Sequence, residues 1–168
     1  MSELINTLKS LLGDTVALKF KAHGYHWNVE TDDFPQYHDF FADIYKDYDS
    51  AIDPMAEWIR ILGDYAPFKL SRLTMLSSIP ETEVTSDHED MTMDLYLANE
   101  PMAAKFAAAV DMANAAKQYG LSNFLADRQT AHQKLAWQLK ASVSEMLAEE
   151  AMPEADAESE PEPPSITE

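Results

Sequence analysis

The sequence predicts an all-α protein in which four long helices form a bundle. Only 4 of the 168 residues are glycine, and several long stretches lack any turn signal. Apolar residues recur near helical spacing in these stretches, which are also rich in alanine and methionine. A helix with one apolar face must bury that face, so four such helices predict a four-helix bundle.

The first two helices are separated by a short acidic break. The first is expected over Glu3–Val29 and the second over Phe34–Leu62, because residues 30–33 interrupt the apolar pattern and supply acidic capping groups. Pro54 lies inside the second helix and should bend it locally, because proline has no amide hydrogen to donate. Gly63 is well placed to end it. Dense aromatic residues in the second helix indicate burial on more than one face.

A long connection precedes the third helix and contains room for a short one. Two prolines bracket Phe68–Ile79, where a short helix fits. A capping box at residues 86–89 predicts the start of the third long helix, expected over Asp87–Tyr119. Pro101 lies within it and should kink it, and Gly120 is expected to stop it.

The fourth helix and the chain that follows differ sharply in composition. The helix is expected over Ser122–Ala148. Residues 149–168 carry eight acidic residues and four prolines, with no Lys, Arg or aromatic residue. Such a segment cannot bury enough apolar area to order itself. We therefore expect a bundle over residues 1–148 and an acidic, Pro-rich disordered tail over residues 149–168.

Composition excludes several classes of function. With 12 basic and 30 acidic residues, the net charge is −18, which disfavours non-specific binding to nucleic acid or to anionic membranes. The absence of cysteine excludes disulfides, Cys-ligated zinc, iron–sulfur clusters and thiol catalysis. Neither a signal-peptide pattern nor a membrane-spanning apolar run is present. We expect a soluble protein in a cytoplasm-like compartment.

Four residues form a candidate metal-binding set: His26, His38, Asp53 and Glu57. Asp53 and Glu57 are four residues apart on one helix face, and imidazole with carboxylate suits iron, zinc or manganese. His38 and Asp53 lie 15 residues apart on one predicted helix, or about 22 Å. They therefore share a metal only if two chains pair antiparallel about a two-fold axis. From spacing alone, core or surface histidines and a solvated acidic face remain open alternatives.

A sequence resemblance connects these residues to a known family. The run Tyr25-His26-Trp27-Asn28-Val29, followed by Phe34, His38, Asp53-x-x-x-Glu57 and Gly63, closely resembles the Dps family of mini-ferritins. The spacings match that family's ferroxidase motif, and a weaker similarity reaches residues 132–137. The resemblance covers about residues 4–147. Other di-iron bundles use a Glu-x-x-His motif, which Glu57-x-x-Arg60 does not match.

The resemblance implies a ferritin-like fold and an iron-oxidising activity. A short helix should lie between the second and third long helices, and twelve subunits should form a hollow homododecamer. His26 and His38 of one subunit, with Asp53 and Glu57 of its two-fold mate, should bind Fe(II) for oxidation, preferably by hydrogen peroxide. The ferric mineral would be stored in the cavity, which protects against oxidative damage. Trp27 would lie beside the site, either as core packing or as an electron donor that intercepts radicals.

Acidic residues elsewhere have roles that the resemblance suggests. Asp39, Asp43 and Asp47 recur every four residues and form an acidic stripe on one face of the second helix. In the family, the positions of Asp39 and Asp43 can seed mineral in the cavity. Ala42 stands where the family often has an acid. Asp127 is a candidate for an iron-entry pore, although Asn123 stands where an aspartate is expected. A solvated helix face is the alternative for the stripe. His23 and His88 are expected at surfaces or caps, and His132 in the core or supporting the ligands from behind.

Two other functions remain open beside ferroxidase activity, and the charge of the chain bears on DNA binding. The first alternative is a structural or interaction cage with weak ferroxidase activity, and the second is a zinc-binding helical bundle. Zinc is also a candidate competitor for iron. Many family members bind DNA through basic terminal extensions, which are missing here, with only Lys9 near the start. DNA binding is therefore not expected without bridging divalent cations.

Overall fold

A computed structural model describes residues 1–150, and this part of the chain is built from α-helices. The all-α prediction is confirmed, since the only β pairing within residues 1–150 is an isolated bridge between Glu30 and Asp87. The helices are α1 (Ser2–Asn28), α2 (Phe34–Ile61), α3 (Leu70–Leu76), α4 (His88–Asn99), α5 (Met102–Ala115), α6 (Tyr119–Ser142) and α7 (Ser144–Glu150).

The core lies between α1, α2, α6 and the pair α4 and α5. Helix α1 packs along α2, α5 packs along α6, and α4 also contacts α6. Each contributes side chains that are fully withdrawn from solvent, among them Leu8, Leu18, Phe41, Met55, Leu95, Phe106 and Leu125. The predicted four-helix bundle is confirmed, and the short helix expected within the long connection is α3. None of the helices in residues 1–150 is long and apolar enough to cross a membrane.

The third helix differs from its prediction because Pro101 breaks it. The expected helix over Asp87–Tyr119 is two helices, with the break at Glu100–Pro101. Glu100 still donates its amide to Tyr96, but Pro101 has no amide hydrogen and instead occupies the N-cap of α5. The start lies where it was predicted, but the N-cap is Asp87 rather than the Ser86 of the predicted capping box. Asp87 is the N-cap of α4, and its carboxylate accepts from the amides of Glu89 and Asp90.

The end of the third helix also differs from its prediction. Helix α5 ends at Ala115 and α6 begins at Tyr119, so Gly120 lies inside α6 and does not stop a helix. The left-handed residue at the junction is Lys117, with φ 57°. Gly120 has a packing role, because a Cβ there would lie 3.0 Å from the Trp58 ring of α2. Glycine at this position lets the two helices approach closely.

The second helix behaves largely as predicted, whereas the fourth ends early. Helix α2 continues through Pro54 as far as Ile61, and Gly63 closes it with φ 93°. Helix α6 ends at Ser142 rather than Ala148, and after Val143 the chain forms α7. Because α7 extends to Glu150, two residues of the predicted tail are helical. Residues 151–168 lie outside the described part of the chain, so the disordered tail remains a prediction.

A buried carboxylate fixes the connection that contains α3. Asp14 on α1 is only 1% exposed and accepts hydrogen bonds from the Ser78 amide at 2.6 Å and from Lys105 Nζ at 2.8 Å. The Ser77 and Ser78 hydroxyls also donate to it. One side chain therefore joins α1, α5 and the segment after α3.

Candidate metal centre

The two predicted ligand histidines are brought together by the short link between the first two helices. His26 lies in the last turn of α1 and His38 in the second turn of α2. Because only residues 29–33 separate the helices, the chain reverses and places the two imidazoles side by side. Their ring centroids are 3.7 Å apart, with an angle of 26° between the ring planes.

Reciprocal hydrogen bonds hold the two imidazoles in one orientation. His26 Nδ1 lies 2.8 Å from the backbone carbonyl oxygen of His38, and His38 Nδ1 lies 2.8 Å from the carbonyl oxygen of His26. A carbonyl oxygen only accepts, so each Nδ1 must be the donor. In the neutral rings the lone pair is then on Nε2. Metal-binding histidines commonly have this arrangement, in which a backbone carbonyl fixes the tautomer and orients the ring.

An aromatic cluster surrounds the pair. Phe34 stacks on His38 at 4.9 Å, and His23 stacks on Tyr45 at 4.0 Å and lies 4.3 Å from the Trp27 ring. The pKa of His23 is lowered, first by desolvation and then by the charge of Lys19. His23 was expected at a surface or cap, yet it is partly buried beside His26, with ring centroids 6.1 Å apart. Its position one helical turn before His26 is the sequence signal for this proximity.

Trp27 is not part of the core of the chain. It is 61% exposed, so the expectation that it simply packs in the core of its own chain is wrong. Its neighbours at the end of α1 are His23 and His26, which places it at the edge of the aromatic cluster. The exposed indole is available to solvent or to a second chain.

Asp53 and Glu57 lie far from the histidines. Both side chains are exposed, four residues apart near the C-terminal end of α2. Because α2 is continuous from residue 34 to residue 61, the 15 residues between His38 and Asp53 span about 22 Å. Within residues 1–150, no three His, Asp or Glu side chains converge as a metal site. The chain thus carries the histidine pair and the carboxylate pair as separate groups.

The acidic stripe on α2 is shorter than the sequence suggested. Asp39 and Asp43 are exposed, but Asp47 forms an ion pair with Arg128 of α6, with nitrogen–oxygen distances of 3.1 and 2.6 Å. This pairing neutralises the last acid of the stripe. Sequence reasoning missed Arg128, since its partner lies 81 residues away. Ala42, between the exposed acids, is buried.

The remaining candidates fall into surface and core positions. Asp127 is exposed on the third turn of α6, and no other predicted site residue contacts it among the described hydrogen bonds and ion pairs. His88 is the first residue of α4, next to the N-cap Asp87, and its half-buried ring lies 4.3 Å from the Tyr37 ring. His132 is 1% exposed and is confirmed as a core residue.

Comparison with known proteins shows the class of fold to which this helical bundle belongs. A family model described as a ferritin-like domain matches residues 5–147. Among solved structures, the Dps protein of Vibrio cholerae O1 superposes with a TM-score of 0.81 at 25% identity, covering 84% of this chain and 89% of that one. Staphylococcus aureus Dps gives a TM-score of 0.81 at 20% identity, over 85% and 96% of the two chains, and shows the shared fold. The helical bundle is therefore ferritin-like.

Sequence relatives then define the family. The DNA protection during starvation protein of Helicobacter pylori J99 is 30% identical over 141 residues, which is 82% of this chain and 96% of that protein. DNA protection during starvation protein 2 of Bacillus anthracis is 25% identical over 143 residues, covering 85% and 98% of the two chains. The chain belongs to the Dps family of ferritin-like proteins.

Proposed function

We propose that this protein is a mini-ferritin that oxidises Fe(II), preferably with hydrogen peroxide, and stores the ferric product inside a twelve-subunit cage. The observation that carries the proposal is the reciprocal hydrogen bonding of His26 and His38. It leaves both Nε2 lone pairs free for a metal while fixing the rings that present them. Membership of the Dps family supports the same activity.

The iron site is completed by a second subunit. His26 and His38 of one subunit bind the iron together with Asp53 and Glu57 of the partner subunit, which is related by a two-fold axis. Antiparallel packing of two α2 helices brings the histidine end of one chain to the carboxylate end of the other. Imidazole and carboxylate ligands suit iron in both oxidation states. Zinc accepts the same ligands and would compete for the site.

Peroxide is consumed without releasing a radical when two ferrous ions react with it together. Each Fe(II) gives one electron, the oxygen–oxygen bond breaks, and two protons complete two water molecules. Trp27, exposed at the edge of the histidine cluster, is placed to give up an electron if a one-electron oxidant forms there. This chemistry would protect the cell from oxidative damage.

Acidic groups guide and collect the iron. Asp39 and Asp43 offer carboxylates on one exposed face of α2 for nucleation of ferric mineral, whereas Asp47 is neutralised by Arg128. Asp127, near the start of α6, is proposed to line an entry pore. The chain charge of −18 makes duplex DNA a poor ligand unless divalent cations bridge the two.

The test is oxidation of Fe(II) followed by absorbance, with and without peroxide. His38→Ala and Asp53→Ala should each lose most of the oxidation rate. His88→Gln replaces a histidine whose ring contacts Tyr37 and none of the four proposed ligands, so it should behave as wild type. Equal rates in all four proteins would contradict the ferroxidase assignment. Measuring the particle mass in solution checks the twelve-subunit cage independently.

Co-expression of the two inactive variants tests whether the site is shared. In a hybrid two-fold dimer of His38→Ala and Asp53→Ala chains, one site receives both lesions and the other receives neither. With random pairing, half of the dimers are hybrid, so about a quarter of the wild-type sites should be intact. A mixture as inactive as its parents would contradict the shared site.

A further inference from the structure

A cluster of polar side chains lies buried in the bundle core, away from the histidine pair. It consists of Tyr48 on α2, Asn99 at the end of α4, and Arg128 and His132 on α6. These residues are between 0% and 8% exposed. We call them the core polar cluster. The iron site proposed above makes no use of it.

The hydrogen bonds of this cluster fix the tautomer of His132. Asn99 Nδ2 donates to the backbone carbonyl oxygen of His132 at 3.0 Å, so Asn99 Oδ1 is the acceptor of the same amide. Tyr48 donates its hydroxyl hydrogen to that oxygen at 3.0 Å, and His132 Nδ1 lies 2.6 Å from it. His132 Nδ1 therefore carries a hydrogen, and Nε2 carries the lone pair of the neutral ring.

Two complementary atoms of the cluster have no partner. Within residues 1–150, neither His132 Nε2 nor Arg128 Nε has a hydrogen-bond partner, and both atoms are shielded from solvent. The other two guanidinium nitrogens of Arg128 are occupied by Asp47. Arg128 Nε can only donate and His132 Nε2 can only accept. Leaving a buried polar group unpaired costs about 1–3 kcal/mol, so each of these two atoms favours binding of a hydrogen-bonding ligand.

The positions of the two side chains favour a ligand between them. Arg128 and His132 are four residues apart on α6 and so share one helix face. The imidazole packs against the rings of Phe106 and Tyr48, at 4.9 and 5.6 Å. Hydrogen bonding is thereby left to the edge of the imidazole. A ligand for this site must be small and must both accept and donate.

We propose that a single buried water molecule binds between Arg128 Nε and His132 Nε2, accepting a hydrogen bond from the first and donating one to the second. Buried waters occur where otherwise unpaired polar groups converge, and they are part of the folded structure. The water would complete a continuous polar chain from Asp47, whose side chain is 45% exposed, through Arg128, His132 and Asn99 to Tyr48. This chain joins α2, α4 and α6.

A crystal structure of the assembled wild-type protein, at a resolution that shows ordered waters, tests the proposal. We expect one water at about 2.7–3.2 Å from both atoms. A direct hydrogen bond between Arg128 and His132, an empty gap, or a water that contacts only one of them would overturn it. This measurement needs no variant, so it holds even if substitutions in the core prevent folding.

A pair of variants tests the role of His132 as acceptor. His132→Phe keeps an aromatic ring but removes both nitrogen atoms, and the water should be lost. Phe106→Leu changes the packing against the same ring without removing a hydrogen-bonding atom, and the water should remain. A fully occupied water in His132→Phe would overturn the assignment.

Discussion

Gly13 of α1 lies so close to α3 that a Cβ at this position would be 2.9 Å from the carbonyl oxygen of Leu73. The same Cβ would be 3.0 Å from Leu76 Cβ and from the Ser77 amide nitrogen. Two of these three neighbours are backbone atoms, which cannot move aside by changing rotamer. The short helix is thus held against α1 at a distance that only glycine allows.

Gly13→Ala should therefore destabilise the protein. Forcing extra volume into a packed contact costs about 1–3 kcal/mol, and α3 must shift away from α1. Gly24→Ala on the same helix is the matched control, because its Cβ would meet nothing within 4 Å in the chain. The unfolding free energy of this control should rise by up to about 1 kcal/mol, because alanine has a higher helix propensity than glycine. Urea unfolding followed by circular dichroism measures both, and equal effects would contradict the close approach.

The ion pair of Asp14 and Lys105 should show strong coupling. Lys105→Met leaves the Asp14 carboxylate, 1% exposed, without its cation, and breaking a buried pair in this way typically costs about 3–5 kcal/mol. Adding Asp14→Asn to Lys105→Met removes the unpaired buried charge and should restore part of the lost unfolding free energy. A double-mutant cycle from urea unfolding should give a coupling energy above about 1 kcal/mol. Additive effects of the two substitutions would show that the pair does not stabilise the connection.

Lys117 offers a stabilising substitution. Its φ of 57° lies in the left-handed region, which costs a residue with a Cβ about 1–2 kcal/mol. Lys117→Gly removes this strain, although greater freedom in the unfolded chain offsets part of the gain. We expect a net increase of about 0.5–1 kcal/mol in unfolding free energy. Lys117→Ala is the control and should give no gain, because alanine keeps the Cβ.

Local sequence patterns predicted the helices well but not the contacts between distant segments. Periodicity and caps located the first, second and fourth long helices, but they joined α4 and α5 into one predicted helix. Gly120 was misinterpreted as a helix stop because its close contact with Trp58 is tertiary. The Asp47–Arg128 ion pair was missed for the same reason. Whether a proline kinks a helix or breaks it, as Pro101 does, depends on packing that a local pattern does not contain.

Stability should fall in acid because His132 is buried as a neutral ring. Burial lowers the pKa of His132 from 6.5 to about 3, with the charge of Arg128 as the next cause. Between these two pKa values the unfolded chain binds a proton that the folded chain does not. The contribution of neutral His132 to the unfolding free energy is therefore complete above pH 6.5 and is lost as the pH falls towards 3. From about pH 7.5 to about pH 5 the loss should be about 2 kcal/mol. His132→Phe removes the titrating group. The fall in unfolding free energy between the two pH values, measured by urea unfolding, should therefore be smaller in the variant than in the wild type by that amount. An unchanged drop in the variant would mean that other groups cause the acid sensitivity.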